Sequence, residues 1–165
     1  SGNIEVTAII PYSGSFILVL YYAGATELDG SSTGCGYGVV NNDGSVASGA
    51  TTFQEVTHGT QDTCGGILLS DGNVLFIWRS QSSTHSDNDN TFLSSETQVN
   101  ELDAGSQSNI KGCALNENGR FVTLYRGPRN SGSSTYDSDG LLLRVWNDDM
   151  TEVTSGEVDI NTYTS

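Results

Sequence analysis

The run GILLSDGNVLFIWRS, Gly66 to Ser80, decides how the rest of the chain is read. Asp71-Gly72-Asn73 lies between two apolar runs, and Asp-Gly in that setting is a strong hairpin signal because glycine accepts the positive φ that the turn requires. The second run, Val74-Leu75-Phe76-Ile77-Trp78, does not alternate apolar with polar. Five apolar residues in a row point to both faces, so the sequence predicts a strand buried on both sides.

The same pattern occurs three times. With Gly72 placed over Gly119, CALNENGRFVTLYRG supplies the turn Asn118-Gly119 and the strand Phe121 to Tyr125. With Gly72 placed over Gly14, AIIPYSGSFILVLYY supplies Ser13-Gly14 and Phe16 to Tyr22. A closing signature follows at Gln54-Glu55-Val56-Thr57, Thr97-Gln98-Val99-Asn100 and Val158-Asp159-Ile160-Asn161. The chain thus reads as one all-β domain over 1–165, with approximate repeats at 1–58, 59–104 and 105–165. Repeats of about fifty residues with about four short strands each are the mark of propeller blades. The expected fold is three β-propeller-like, four-stranded repeats; the alternative is a β-sandwich that closes its own core.

Composition agrees with an all-β chain. Glycine is abundant (20) and proline scarce (2), and no segment carries apolar residues at helical spacing over three turns. The apolar runs are short and rich in β-branched and aromatic residues, with turn residues between them. The net charge is −14 and Lys111 is the only lysine. Phosphate binding needs clustered cations, so nucleic acid and anionic membranes are poor partners. The acidity serves solubility, or cation binding, or a salt-rich habitat. No apolar run approaches the length needed to span a bilayer. A start at Ser1 without Met is what a processed secreted chain or a trimmed one would show.

The first repeat is expected to place a strand at Ile4 to Ile10, ended by Pro11, then Phe16 to Tyr22. A loop from Ala23 to Gly36 would precede Tyr37-Gly38-Val39-Val40, and Asn41-Asn42-Asp43-Gly44 would turn the chain into a last strand reaching Val56. The second repeat has a loop from Gln81 to Asn90 and a short third strand, Thr91-Phe92-Leu93. The third has a loop from Gly127 to Gly140, then Leu141 to Trp146, a turn at Asn147-Asp148-Asp149 and a last strand from Glu157 to Tyr163. In each repeat the long polar loop falls between the second and third strands. Stacked blades would bring these loops to one rim and leave only tight turns on the other.

Asp71-Gly72 with Val74 to Trp78, Asn118-Gly119 with Phe121 to Tyr125, Asn42-Asp43-Gly44 and the closers at Val56, Val99 and Ile160 together resemble the propeller-like repeats of large secreted bacterial surface and adhesin proteins. The resemblance covers nearly the whole chain. The first repeat has Leu20 where the family has Trp, and the second lacks the third-strand turn. The resemblance implies an extracellular or cell-surface setting and no reaction.

Closed propellers use about four to eight blades. Three would leave two apolar blade faces and open strand edges, which invite association. The expectation is a secreted, non-enzymatic structural or adhesive subunit that forms a homo-oligomer, either a closed dimer of six blades or a filament. The alternative is a lectin-like carbohydrate-binding module using the long-loop rim, with a glycan as ligand. For that reading the candidate ligand-binding residues are His85, Arg129 and Tyr136 on the loops, together with Trp78 and Arg79. An aromatic beside an arginine can stack on and bond to a sugar, but it can equally be a core aromatic at a strand end.

Calcium is the one cofactor the sequence suggests. Asp87, Asp89, Asp137 and Asp139 alternate with Asn, Ser and Gly on two loops, and calcium takes six to eight oxygens. The same residues also simply make polar turns. No zinc motif is formed by Cys35, Cys64 and Cys113 with two histidines. The cysteines allow one disulfide and one free thiol, an intermolecular bridge, or three buried thiols; Cys113, in an apolar strand, is expected to be buried. No G-x-S-x-G or H-E-x-x-H occurs, and the arginines do not cluster as sialidase chemistry would need. No catalytic residue is assigned.

Overall fold

The computed structural model describes residues 2–23, 33–53, 60–81, 108–115, 119–127 and 140–160, without the side chains of Ser80, Gln81 and Ser108. Among these residues there is no helix. Ten strands form three antiparallel sheets: β1 (Asn3–Tyr12), β2 (Ser15–Ala23), β3 (Thr33–Asn41) and β4 (Val46–Thr52) in the order 1-2-3-4; β5 (Thr60–Leu68) with β6 (Val74–Gln81); and β7 (Ser108–Leu115), β8 (Arg120–Gly127), β9 (Gly140–Asn147) and β10 (Val158–Asp159) in the order 10-9-8-7. The protein is all-β and its sheets are open. Two compact units are present, Ser1–Leu68 with Val74–Glu96 and Leu69–Asn73 with Thr97–Ser165.

Local chemistry makes the hairpins. Ser13 and Gly14 have φ of 38° and 79°, which gives β1 and β2 a two-residue turn of the type whose twist matches paired strands. Asn41–Ser45, Leu69–Asn73 and Asn147–Thr151 are three copies of a longer turn. In each, the third residue is Asp, and its carboxylate accepts the backbone N–H of the fifth residue at 2.9 to 3.0 Å. The fourth residue takes positive φ: Gly44 at 85°, Gly72 at 88° and Met150 at 67°. Gly119, at 60°, occupies the matching place before β8.

In the first unit, β2 presents Ile17 and Val19 to a core shared with Ile10, Cys35, Phe53 and Cys64. From β6, Val74, Phe76 and Trp78 pack against it, so the β5–β6 hairpin lies on one face of the four-stranded sheet. Phe76 stacks on Phe53 at 4.5 Å and on Tyr37 at 5.2 Å. A disulfide joins Cys35 of β3 to Cys64 of β5, with Cα atoms 5.7 Å apart. The hairpin approaches closely because Gly66 has no side chain: a Cβ there would meet Ile10 at 2.6 Å. Ile67 and Ile77, on the other face of the hairpin, are buried too, as the uninterrupted apolar run requires.

Three expectations are corrected here. Pro11 does not end β1; the strand continues to Tyr12 and pairs Pro11 with Phe16, a place open to proline because β1 is an edge strand of its sheet. Gly34-Cys35-Gly36 belongs to β3 rather than to the preceding loop. Its alternation sends Cys35, Tyr37 and Val39 into the core, while Gly34, Gly36 and Gly38 leave room on the opposite face. Tyr22 fills part of that room, its ring lying where a Gly34 side chain would stand. Cys113 is exposed, because its place in β7 pairs it with Val122 on the uncovered side of the sheet.

In the second unit, β8 and β9 pair Phe121 with Trp146, Thr123 with Arg144 and Tyr125 with Leu142, and all six are buried on one face. The polar members are satisfied. Trp146 Nε1 donates to Thr123 Oγ1 at 2.9 Å, the Arg144 guanidinium lies 4.9 Å from the Trp146 ring centre, and Tyr125 OH donates to Glu157.

Candidate functional site

Of the residues the sequence singles out for binding, His85, Arg129, Tyr136, Asp87, Asp89, Asp137 and Asp139 lie outside the described residues. Trp78 and Arg79 are described, and both have structural work. Trp78 is half-buried against the core with its ring 5.3 Å from that of Phe53. Arg79 faces Asp62 across the β5–β6 ladder and donates to it from Nε at 2.5 Å and from a terminal guanidinium nitrogen. A planar, two-pronged pair of this kind holds the guanidinium in place. In the third repeat the corresponding Tyr125 is buried. The Arg126 that follows it is exposed.

The carboxylates that deviate from ordinary titration are also structural. Asp43 is held below the usual carboxylate range by the Ser45 hydroxyl and N–H, and Asp149 by the same groups of Thr151. Arg144 lowers Glu152, chiefly through its hydrogen bonds at 2.8 and 2.5 Å, with Gly156 N–H adding another at 3.1 Å. Among the described residues no group of three His, Cys, Asp or Glu is placed to hold a metal ion.

What the described residues offer instead is apolar surface. On β1 the register slips at Thr7, between Val6 and Ala8. Before this bulge Ile4 and Val6 pair with Tyr22 and Leu20; after it Ile9 pairs with Leu18. Directly opposed residues share a face, so the bulge puts Ile4, Val6 and Ile9 together on the face away from the core and turns Ile10 inward. Phe16, Val40 and Val46 continue that face across β2, β3 and β4. Ile9 is 63% exposed and Val46 72%. Such a bulge reverses facing without leaving a mark in the apolar pattern.

The last sheet has a counterpart. Away from its buried face it carries Lys111, Cys113 and Leu115 on β7, Val122 and Leu124 on β8, and Leu143 and Val145 on β9. Leu115 and Val158 are exposed. Compared with family models, curated proteins and solved structures, the chain matches none of them.

Proposed function

We propose that this protein is a non-enzymatic structural or adhesive subunit, secreted or displayed at a cell surface, that associates with copies of itself through exposed sheet faces. The observation that carries this reading is the apolar outer face of the first sheet, where Ile4, Val6, Ile9, Phe16 and Val46 are all solvent-exposed. Four strands about 4.8 Å apart and about 27 Å long offer on the order of 400 Å² on one face. Apolar patches of up to that order are often functional surfaces. The Cys35–Cys64 disulfide supports an oxidising, extracytoplasmic setting.

The repeat architecture supports the finer reading of propeller-like blades. The first and last sheets are both four-stranded antiparallel meanders with an Asp-containing turn between their third and fourth strands. The β5–β6 hairpin would be the first half of a middle blade. Three blades fall short of a closed ring, so a second copy would complete it at six or extend it as a filament.

Light scattering on a sizing column, over a concentration series, tests the function. Self-association predicts a mass that rises from one chain toward two or to long particles. A mass of one chain at every concentration would overturn it.

A further inference from the structure

Resting on the self-association reading, we infer that copies of this chain exchange the β5–β6 hairpin. The hairpin of one copy covers the inner face of the first sheet in another, and Cys64 of the first copy is then bridged to Cys35 of the second. The outer face alone is too small for a lasting assembly. Two faces of about 400 Å² bury about 800 Å² together, against about 1,200–2,000 Å² in stable interfaces. The inner face offers a contact that is already built. Val74, Phe76 and Trp78 of the hairpin pack there against a cluster that includes Ile10, Ile17 and Val19. Gly66 makes room for two of these, since a Cβ on it would meet Ile10 at 2.6 Å and Val19 at 3.0 Å. A hairpin from a second copy makes the same contacts, so exchange needs no new complementary surface.

Two features suit the hairpin to exchange. It is a sheet of its own, hydrogen-bonded to none of β1 to β4 as a ladder, so it can leave one copy and enter another without breaking a sheet. As the sequence divides the chain, the hairpin opens the second repeat while the face it covers belongs to the first, and swapping between units is characteristic of repeat proteins. The cysteines then fix the outcome. Cys35 is 0% exposed and Cys64 2%, so a bridge once closed is shielded from thiols in solution. Before it closes, the hairpin is held by side-chain packing alone and is free to change partners. Closure forms the S–S bond as the two thiols give up two protons and two electrons to an oxidant such as glutathione disulfide, which leaves as two glutathione thiols. A bridge closed across two copies makes their contact permanent, as suits a structural subunit.

Two variants test this, Cys35→Ala and Cys64→Ala, each combined with Cys113→Ser to remove the exposed thiol. Neither can close a bridge within its own chain, and near-UV circular dichroism checks that each keeps the parental fold. Each is held in a glutathione redox buffer alone and in an equimolar mixture, and bridged dimers are measured on a non-reducing gel. The mixture should give at least about tenfold more bridged dimer than either variant alone, because only there can exchange bring a Cys64 hairpin to a Cys35 sheet. Equal amounts in all three samples, or no dimer in the mixture, would overturn the inference. If either variant does not fold, the Cys113→Ser chain is made in unlabelled and heavy-nitrogen forms, which are reduced and reoxidised together. Mass spectrometry should then find Cys35 of one form bridged to Cys64 of the other; bridges confined to one form would overturn exchange. Light scattering on the parent separates this inference from the reading it rests on. Association without bridging between copies overturns exchange and leaves self-association standing, and the absence of both overturns both.

Discussion

The first and last sheets share a topology and a turn and are stabilised in different ways. In the first, the inner face is sealed by a disulfide and by three stacked aromatic rings, Tyr37, Phe76 and Phe53. In the last, the buried face holds Thr123 and Arg144 among Phe121, Tyr125 and Trp146, and each polar group is matched by a partner within the same unit. The same four-stranded sheet plan thus tolerates a covalent apolar core and a polar network. The first depends on oxidation, the second on protonation and complete hydrogen bonding, because an unmatched buried donor costs about 1–3 kcal/mol.

The two tryptophans fall one in each unit, Trp78 in the first and Trp146 in the second, so single-tryptophan variants can report on each separately. The largest effect should come from Cys35→Ala with Cys64→Ala. Removing a disulfide costs about 3 kcal/mol, and the loss should appear in urea unfolding followed at Trp78 and leave the Trp146 transition in place. Equal losses at both probes would mean that the two units unfold as one.

Thr123→Val should cost about 2 kcal/mol, because it keeps the shape and leaves the Trp146 N–H without its acceptor. This loss belongs to the Trp146 probe. The turns sharpen the comparison further, since Gly44 and Met150 occupy the same left-handed position in equivalent turns. A side chain there costs about 1–2 kcal/mol, offset by about 0.4–1 kcal/mol of lost freedom in the unfolded chain. Gly44→Ala should therefore destabilise by about 1 kcal/mol and Met150→Gly stabilise by a similar amount, both read as shifts in Tm. Effects of the same sign would refute the equivalence of the two turns.

The smallest effect is that of pH. Glu152 has a folded value below its unfolded 4.5, and Asp149 and Asp43 below 3.8. A depressed carboxylate contributes stability that is complete above its unfolded value and is lost as pH falls through the folded one. Stability should therefore decline below about pH 4.5 and onward through pH 3.8. Two of these three groups, Glu152 and Asp149, lie in the second unit. Glu152→Gln should flatten the first part of that decline at the Trp146 probe; an unchanged acid limb would exclude the Arg144–Glu152 pair as its source.

The chain itself determined the strands and their turns. Asp43-Gly44, Asp71-Gly72, Ser13-Gly14 and Gly119 are legible because positive φ and Asx hydrogen bonding act over four or five residues, within the reach of local sequence. The continuous apolar run at Val74 to Trp78 announced burial on both faces for the same local reason. Tertiary structure decided which side chains those strands would cover. The pairing of Cys35 with Cys64, the exposure of Cys113, the burial of Arg144 beside Glu152 and the bulge at Thr7 that turns Ile9 outward all depend on groups far apart in the chain. Their outcomes follow from which sheet face meets another, and hydrophobic burial, being non-directional, leaves no local signal that says which.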